Sequence, residues 1–428
     1  MNYRKIPFVG TLIRKMDFKF SQLEKMQNFI SYENIKFRVR QKISNKIPIN
    51  VVFVCHRPAV WESLRSVYNS LKRDSSFYVR IVTIPDRRLK NKADLKNEFY
   101  QSDGAESFWT TDDVINGYDY EEKKWLDLRN LEPDYVFFQQ PYDSKRPESY
   151  KSKYVSKYAI LPYVHYASDF IGKQVFEESM PSEFANNIGI FFCQNDTDKY
   201  LISDYFKKID NNFSQVILSG FPRYDNFNDY KGADSKLWNL QKEHNNYRII
   251  WTPRWCTDEG TCNFFEYKEL LLSYVKAHKN IDFIFRPHPQ AFMNWELTGE
   301  FPKEKADAYK AEYENTSNAC IDYTKDYFQT FFSSDCLITD ISSIISDYFL
   351  TGKPVIYCHK TDYFNDFSRK LSEGFYWVSN WNELESTINM LRDGKDPLKE
   401  RRLELIKSHY FLPENGAGNF IKKYLKNI

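Results

Sequence analysis

A chain of 428 residues is long enough for two domains, each with its own buried core. Hydrophobic residues make up 42% and aromatics 18%, too many for disorder, and a net charge of +2 excludes a strongly basic nucleic-acid binder. The seven cysteines (Cys55, Cys193, Cys256, Cys262, Cys320, Cys336 and Cys358) show no CxxC spacing and read as reduced core thiols, not a disulfide frame or a zinc site.

Residues 1–48 form a distinct first segment, with eleven Lys or Arg against three Asp or Glu. Leu12, Met16, Phe20, Leu23 and Ile30 lie close to one helical face, with Arg14, Lys15, Lys19 and Lys25 on others. Such a basic amphipathic extension suits an anionic membrane surface, and equally a helix docked on the domain that follows. No signal peptide is visible and no apolar run approaches the roughly 20 residues of a spanning helix. The expectation is a cytoplasmic protein, peripheral to the membrane at most.

From residue 49 onward, short apolar runs alternate with helical patterns, the signature of parallel α/β layers. In residues 49–230 the strand candidates are "INVVFVC" (49–55), "FYVRIVTI" (77–84), "PDYVFFQ" (133–139), "YAILPYV" (158–164), "IGIFFCQ" (188–194) and "QVILSG" (215–220). In residues 231–428 they are "YRIIWTP" (247–253), "IDFIFRP" (281–287), "ACIDY" (319–323), "DCLITD" (335–340) and "PVIYC" (354–358). Helices are expected at 61–73, 264–278, 342–351, 381–393 and 396–408, and the polar stretch 226–246 reads as the linker between the two series. The predicted fold class is therefore α/β, with two Rossmann-like doubly wound domains facing a cleft, the organisation called GT-B.

In open α/β sheets ligands sit beyond the carboxyl ends of the strands. Those ends carry His56 and Arg57, Gln139 to Tyr142, His165, Arg223 of "GFPRYD", Arg254 of "TPRW", Arg286 and His288 of "RPHP", and Asp340, Ser342 and Ser343 of "TDISS". Hydrogen-bond donors predominate, which suits a phosphorylated or diphosphate ligand. Ser342 and Ser343, with Asp347 one turn on, read either as a helix cap or as an anion cradle. His288 is held between two prolines, so its ring position is well defined, as a ligand contact or as a surface histidine. His165 stands at a strand-to-loop junction, where an imidazole can act as general base. No GxGxxG or GxxxxGK[ST] occurs, and the acidic "TTDD" (110–113) has no nearby histidine to make a metal site.

Five motifs, "GFPRYDNF", "IIWTPRW", "FIFRPHP", "LITDISSIISDYFLTGKPVIY" and "ENGAGNFIKKYL", occur in an order and spacing that resembles the CDP-glycerol glycerophosphotransferase family, the teichoic-acid primases and polymerases and their capsule-locus relatives. The resemblance covers about residues 215–425 and continues less sharply through "NVVFVCHRPAVWESL" and "PDYVFFQQPYD". It implies transfer of a polyol phosphate from a CDP-activated donor to a hydroxyl of a lipid-linked or glycan acceptor at the inner membrane surface, with release of CMP and no cofactor. It also implies His165 as base and His288 as a phosphate contact. Arg223, Arg254, Arg286, Asp340, Ser342, Ser343 and Asp347 would be donor-binding residues. Tyr166 follows His165 where the family normally has glycine. Two other readings stand beside this one: a GT-B glycosyltransferase using a nucleotide sugar, and a non-enzymatic assembly subunit with a decayed cleft.

Overall fold

The computed structural model describes residues 7–89, 98–101, 113–167, 180–232, 234–238, 246–258, 260–324, 327–360 and 364–428. The described chain divides into two compact units. One holds residues up to Ala167, residues 180–225 and Phe411–Ile428, and the other holds Asn226–Tyr410.

The parallel strands of the first unit are β1 (Ile49–Cys55), β2 (Phe77–Thr83), β3 (Val114–Asn116), β4 (Tyr135–Phe138), β5 (Pro162–Val164), β6 (Ile190–Cys193) and β7 (Gln215–Leu218), beside two short antiparallel pairs, Asp86–Leu89 with Glu98–Gln101 and Tyr118–Asp119 with Lys124–Trp125. All pairings among β1 to β7 are parallel, in the orders β3-β2-β1-β4 and β5-β6-β7. A parallel bridge between Tyr135 and Ile160 joins the two groups, so the sheet reads 3-2-1-4-5-6-7. The second unit repeats the scheme with β8 (Tyr247–Thr252), β9 (Ile281–Phe285), β10 (Ala319–Ile321), β11 (Cys336–Thr339), β12 (Val355–Cys358) and β13 (Tyr376–Val378), ordered β10-β9-β8-β11-β12-β13 and again parallel. Each sheet therefore has the doubly wound Rossmann order, with its switch point between the first and fourth strands. The fold is α/β of the GT-B class.

The near-continuous apolar runs follow from helices covering both faces of a parallel sheet. Val51, Phe53 and Cys55 face one buried cluster of the first unit, together with Tyr32, Ile35 and Val39 of the N-terminal helix. Val52 and Val54 face another, with Val136 and Phe138. In the second unit Ile249, Trp251, Phe283 and Phe285 pack under the helices Phe264–Ala277 and Trp381–Arg392. The sequence reading does not include strands β3 and β13, each three residues long.

Two expectations about organisation differ from the structure. The segment Phe411–Ile428 packs with the first unit, not the second, and the division falls after Asp225 instead of at 230. The cause is local. The Asp225 carboxylate accepts from the backbone N–H of Ala417 and of Gly418, both at 2.8 Å, and from the Ser66 hydroxyl. It thereby caps the C-terminal helix Ala417–Lys426, whose Ile421 and Leu425 are buried in the first unit's core. The described parts of 226–246 are also no loose linker. Phe227 lies against Phe328 and Phe332, and Trp238 is buried, its indole N–H donating to Ser333 Oγ at 2.8 Å.

The N-terminal helix spans Pro7–Ser44. Its second half is docked: Arg38 and Lys42 reach the wholly buried Asp134 at 2.8 and 2.6 Å, and Asn28 donates to Asn187 Oδ1 at 2.8 Å. Leu23, Met26, Ile30 and Phe37 stand on the opposite side, between 45% and 61% exposed. Leu12, Met16 and Phe20 lie among residues whose side chains are outside the description.

Gly418 is where the C-terminal helix touches helix Glu62–Lys72, and a Cβ there would fall on the Ser66 hydroxyl and carbonyl. Gly418→Ala is expected to destabilise the first unit by about 1–3 kcal/mol, the range for overpacking. Chemical denaturation followed by circular dichroism measures it.

Candidate functional site

The second unit collects most of the sequence-selected residues at its switch point. Strands β9, β8 and β11 are neighbours, and their carboxyl ends lead into Arg286 and His288, into Arg254, and into Asp340 to Ser343 respectively. The ends of β8 and β11 are tied by Thr252 Oγ1 donating to Thr339 Oγ1 at 2.9 Å. Asp340, fully buried, continues the tie. Its Oδ2 accepts from the backbone N–H of Arg254 at 3.0 Å and of Asn263 at 2.8 Å, and its Oδ1 accepts from Asn263 Nδ2 at 2.9 Å. Asn263 Nδ2 also donates to Cys358 O at 2.7 Å, which extends the brace to β12. Burial pushes the Asp340 carboxyl up to about 6, although the Asn263 and Arg254 bonds oppose the shift.

This places Asp340 behind the site. Expected as a donor-binding residue, Asp340 has both oxygens engaged within the protein, and neither meets solvent. Asp347 is likewise buried, with Oδ2 accepting from the Tyr327 hydroxyl at 2.9 Å, and does not line a surface. Arg286 is held by Asp322, by Thr324 O at 2.7 Å and by the Tyr327 ring at 5.1 Å, so much of its guanidinium is committed inside the unit.

His288 reaches the surface, with one face covered by Trp255 at 5.6 Å between ring centroids and 24° between planes. Its Nδ1 accepts from the Gln290 N–H at 3.2 Å, which leaves the ring proton of the neutral form on Nε2. Loss of water around the ring, and then the Arg254 cation, hold its pKa down at about 4. An uncharged imidazole beside a guanidinium is a site whose proton affinity rises once an anion is bound. Ser342 and Ser343, in the turn after β11, are half-buried. The helix begins only at Ile344, two residues later than expected, and Ser343 in the N-cap position makes no side-chain cap bond. The Ser342 hydroxyl accepts from Ile344 N–H at 3.4 Å, a long contact.

His165 and Arg223 belong to the first unit, beyond the carboxyl ends of β5 and β7. His165 is buried, and its Nδ1 lies 2.7 Å from Ala167 O. A carbonyl only accepts, so Nδ1 carries the proton and Nε2 the lone pair. Burial lowers the ring's pKa, opposed by the Ala167 bond and by Asp198, and this favours the neutral form that a base requires. Arg223 is half-buried in the one-turn helix Pro222–Asp225.

Sequence reasoning passed over Asn263, and it placed Trp255 and the pair Gln139–Gln140 at strand ends without giving them a role. Asn263 stands immediately before helix Phe264–Ala277, the position where an Asn side chain commonly caps, and here it braces Asp340 instead. Gln139 Oε1 accepts from the backbone N–H of His56 and of Arg57 at 2.8 and 3.0 Å, pinning the end of β1 at the first unit's switch point. Among the described residues no three His, Cys, Asp or Glu side chains are placed to hold a metal ion.

The family model described as CDP-Glycerol:Poly(glycerophosphate) glycerophosphotransferase matches residues 158–377, about half the chain. The minor teichoic acid biosynthesis protein GgaB of Bacillus subtilis (strain 168) is 29% identical over 152 residues, 33% of this chain. The match spans only 15% of that relative's length. Among solved structures, the wall teichoic acid polymerase TagF aligns with a TM-score of 0.54 at 14% identity, covering 99% of this chain and 98% of that one. A UDP-GlcNAc 2-epimerase from Neisseria meningitidis aligns with a TM-score of 0.57 at 12% identity, covering 89% and 100%. At such identities these structures speak for the fold alone.

Because the folded state holds the Asp340 carboxyl above its unfolded value, this group's contribution to stability is fullest below the unfolded carboxylate range near 4 and declines as pH rises through about 6. Asp340→Asn is expected to flatten that decline, measured by urea unfolding at pH 4.5 and pH 7. Asp340→Ala leaves the N–H groups of Arg254 and Asn263 without their acceptor and should cost about 1–3 kcal/mol.

Proposed function

The chain belongs to the CDP-glycerol:poly(glycerophosphate) glycerophosphotransferase family, and on that premise we propose that it moves a polyol phosphate from a CDP-activated donor to a hydroxyl of a lipid-linked or glycan acceptor. The observation that carries the reading is the switch-point cluster of the second unit, where His288 sits against Trp255 and beside the Arg254 cation, over a loop pinned by Asp340. A diphosphate there would meet the His288 Nε2–H, the Arg254 guanidinium and the Ser342 and Ser343 hydroxyls. Arg223 of the first unit is a further candidate for the donor's phosphates.

In the proposed reaction the acceptor oxygen attacks the β-phosphorus of the donor. A new P–O bond forms to the acceptor, the bond to the bridging oxygen breaks, and CMP departs with the electron pair. His165 Nε2 takes the hydroxyl proton. Histidine and arginine donors balance the charge gathering on the leaving phosphate, so positioning and electrostatics carry the step without a covalent intermediate.

The N-terminal helix fits an acceptor presented at a membrane. Its inner face is docked through Tyr32, Ile35 and Val39, while Leu23, Met26, Ile30 and Phe37 form an exposed apolar ridge in a strongly basic segment. Among the described residues no helix is long and apolar enough to cross a membrane. The ridge is suited to shallow burial in an anionic surface. A cytoplasmic location, peripheral to the inner membrane face, and a role in teichoic-acid-like or capsular polymer synthesis belong to the same proposal.

Incubation with CDP-glycerol, CDP-ribitol and a panel of nucleotide sugars tests the reaction class. CMP release from a CDP-polyol is expected, and a nucleoside diphosphate released only from a sugar donor would refute it. His165→Ala should lower kcat by about 100-fold or more with little change in CDP affinity. Calorimetry of CDP binding in two buffers of different ionisation enthalpy should register proton uptake between pH 5 and 7, because the anion raises a His288 pKa that starts near 4. His288→Asn should abolish that uptake. Replacing Leu23, Ile30 and Phe37 together with Glu should reduce sedimentation with phosphatidylglycerol vesicles several-fold.

A further inference from the structure

The phosphoryl chemistry leaves unused a pair of tyrosines beside His165. Tyr142, beyond β4, and Tyr166, beyond β5, meet hydroxyl to hydroxyl at 3.0 Å, with ring centroids 6.2 Å apart and planes at 64°. Both are half-buried, so each presents part of a ring and its phenol at the surface of the first unit. The Lys145 ammonium stands 5.2 Å from the Tyr142 ring centroid and 3.4 Å from Gln140 Oε1. The same Gln140 oxygen accepts from His56 Nε2 at 3.0 Å, which ties the patch to the end of β1. The Tyr166 ring centroid lies 5.1 Å from that of His165. Three neighbouring parallel strands, β1, β4 and β5, thus bring one polar-aromatic patch to their common carboxyl edge.

A phenol pair offers two kinds of recognition at once. Its rings cover aliphatic C–H surface, and its hydroxyls both donate and accept. A pyranose presents the complement of both, a saturated ring face rimmed by hydroxyl groups. A chain ending in glycerol phosphate presents little C–H surface and full negative charge, which calls for a cluster of cations. Among the described residues of the patch, no such cluster is present beside the two phenols. Arg146, next in sequence to Lys145, is turned inward, buried on Asp143 and donating to Gln140 O at 2.8 Å.

We propose that Tyr142 and Tyr166, with Lys145 and Gln140, form a subsite for a pyranose unit of the acceptor and set its free hydroxyl beside His165. The orientation toward His165 rests on the function proposed above. The existence of the sugar subsite is separable from it, because binding is measurable without turnover.

Saturation-transfer NMR on the full chain, with no donor present, compares methyl hexopyranosides and methyl N-acetylhexosaminides with oligo(glycerol phosphate). The expected result is binding of a pyranoside, weakened at least tenfold by Tyr142→Ala and Tyr166→Ala and about threefold by the corresponding Phe substitutions, which keep the rings and guard against a folding defect. Calorimetry with CDP on the same variants should show donor affinity retained, so that the loss falls on acceptor KM. Three outcomes overturn the proposal: no pyranoside binding, oligo(glycerol phosphate) binding that persists in the Ala variants, or a loss of CDP affinity that marks the tyrosines as a platform for the donor's cytosine. If pyranosides bind at the tyrosines while no CDP-polyol releases CMP, the function proposed above fails and the subsite stands. If CMP is released only onto oligo(glycerol phosphate), the reverse holds.

Discussion

The buried carboxylate of Asp340 is the constraint on which the second unit's site depends. A parallel sheet fixes its strands by backbone bonds, but the loops beyond the carboxyl ends have no such ladder. Here one side chain at the end of β11 holds the loop after β8 through Arg254 and the start of the next helix through Asn263, and Asn263 passes the restraint to β12. Taking an ionised carboxyl out of water is costly, and three hydrogen bonds offset part of that cost. The result is a braced rim at the carboxyl ends of β8 and β11, with the backbone of Arg254 held in place.

The first unit solves the same problem with neutral groups. Gln139 pins the backbone at the end of β1 with both ends of its amide, accepting from His56 and Arg57 and donating to Arg57 O at 3.0 Å. An amide matches mixed donors and acceptors, whereas a carboxylate matches donors alone. The two units share a strand order but not the chemistry of their switch points.

Much of this was legible in the sequence because doubly buried strands are written as continuous apolar runs. "INVVFVC" maps onto β1 residue for residue, and "IDFIFRP" and "DCLITD" differ from β9 and β11 only at their ends. The strand-end rule then pointed to Arg254 and His288. What the sequence could not express was direction. Asp340 and Asp347 read like site residues, yet each turns inward, a fact that depends on Asn263 and Tyr327 far off in sequence. The placement of Phe411–Ile428 was illegible for the same reason, since it depends on Asp225 capping a helix 192 residues later. "YAILPYV" read as one strand, but Ile160 pairs with β4 and only Pro162–Val164 pair with β6, so one run joins two halves of a sheet.

The return of the last segment has a consequence for biogenesis. A ribosome emits the first unit's sheet early, but the face that covers Ile421 and Leu425, the cap on Asp225 and the bond from Arg40 Nε to Ile428 O form only after the whole second unit has been threaded out. During synthesis the first unit therefore waits with part of its core open until Phe411–Ile428 has emerged, whereas Asn226–Tyr410 of the second unit is one continuous stretch of sequence.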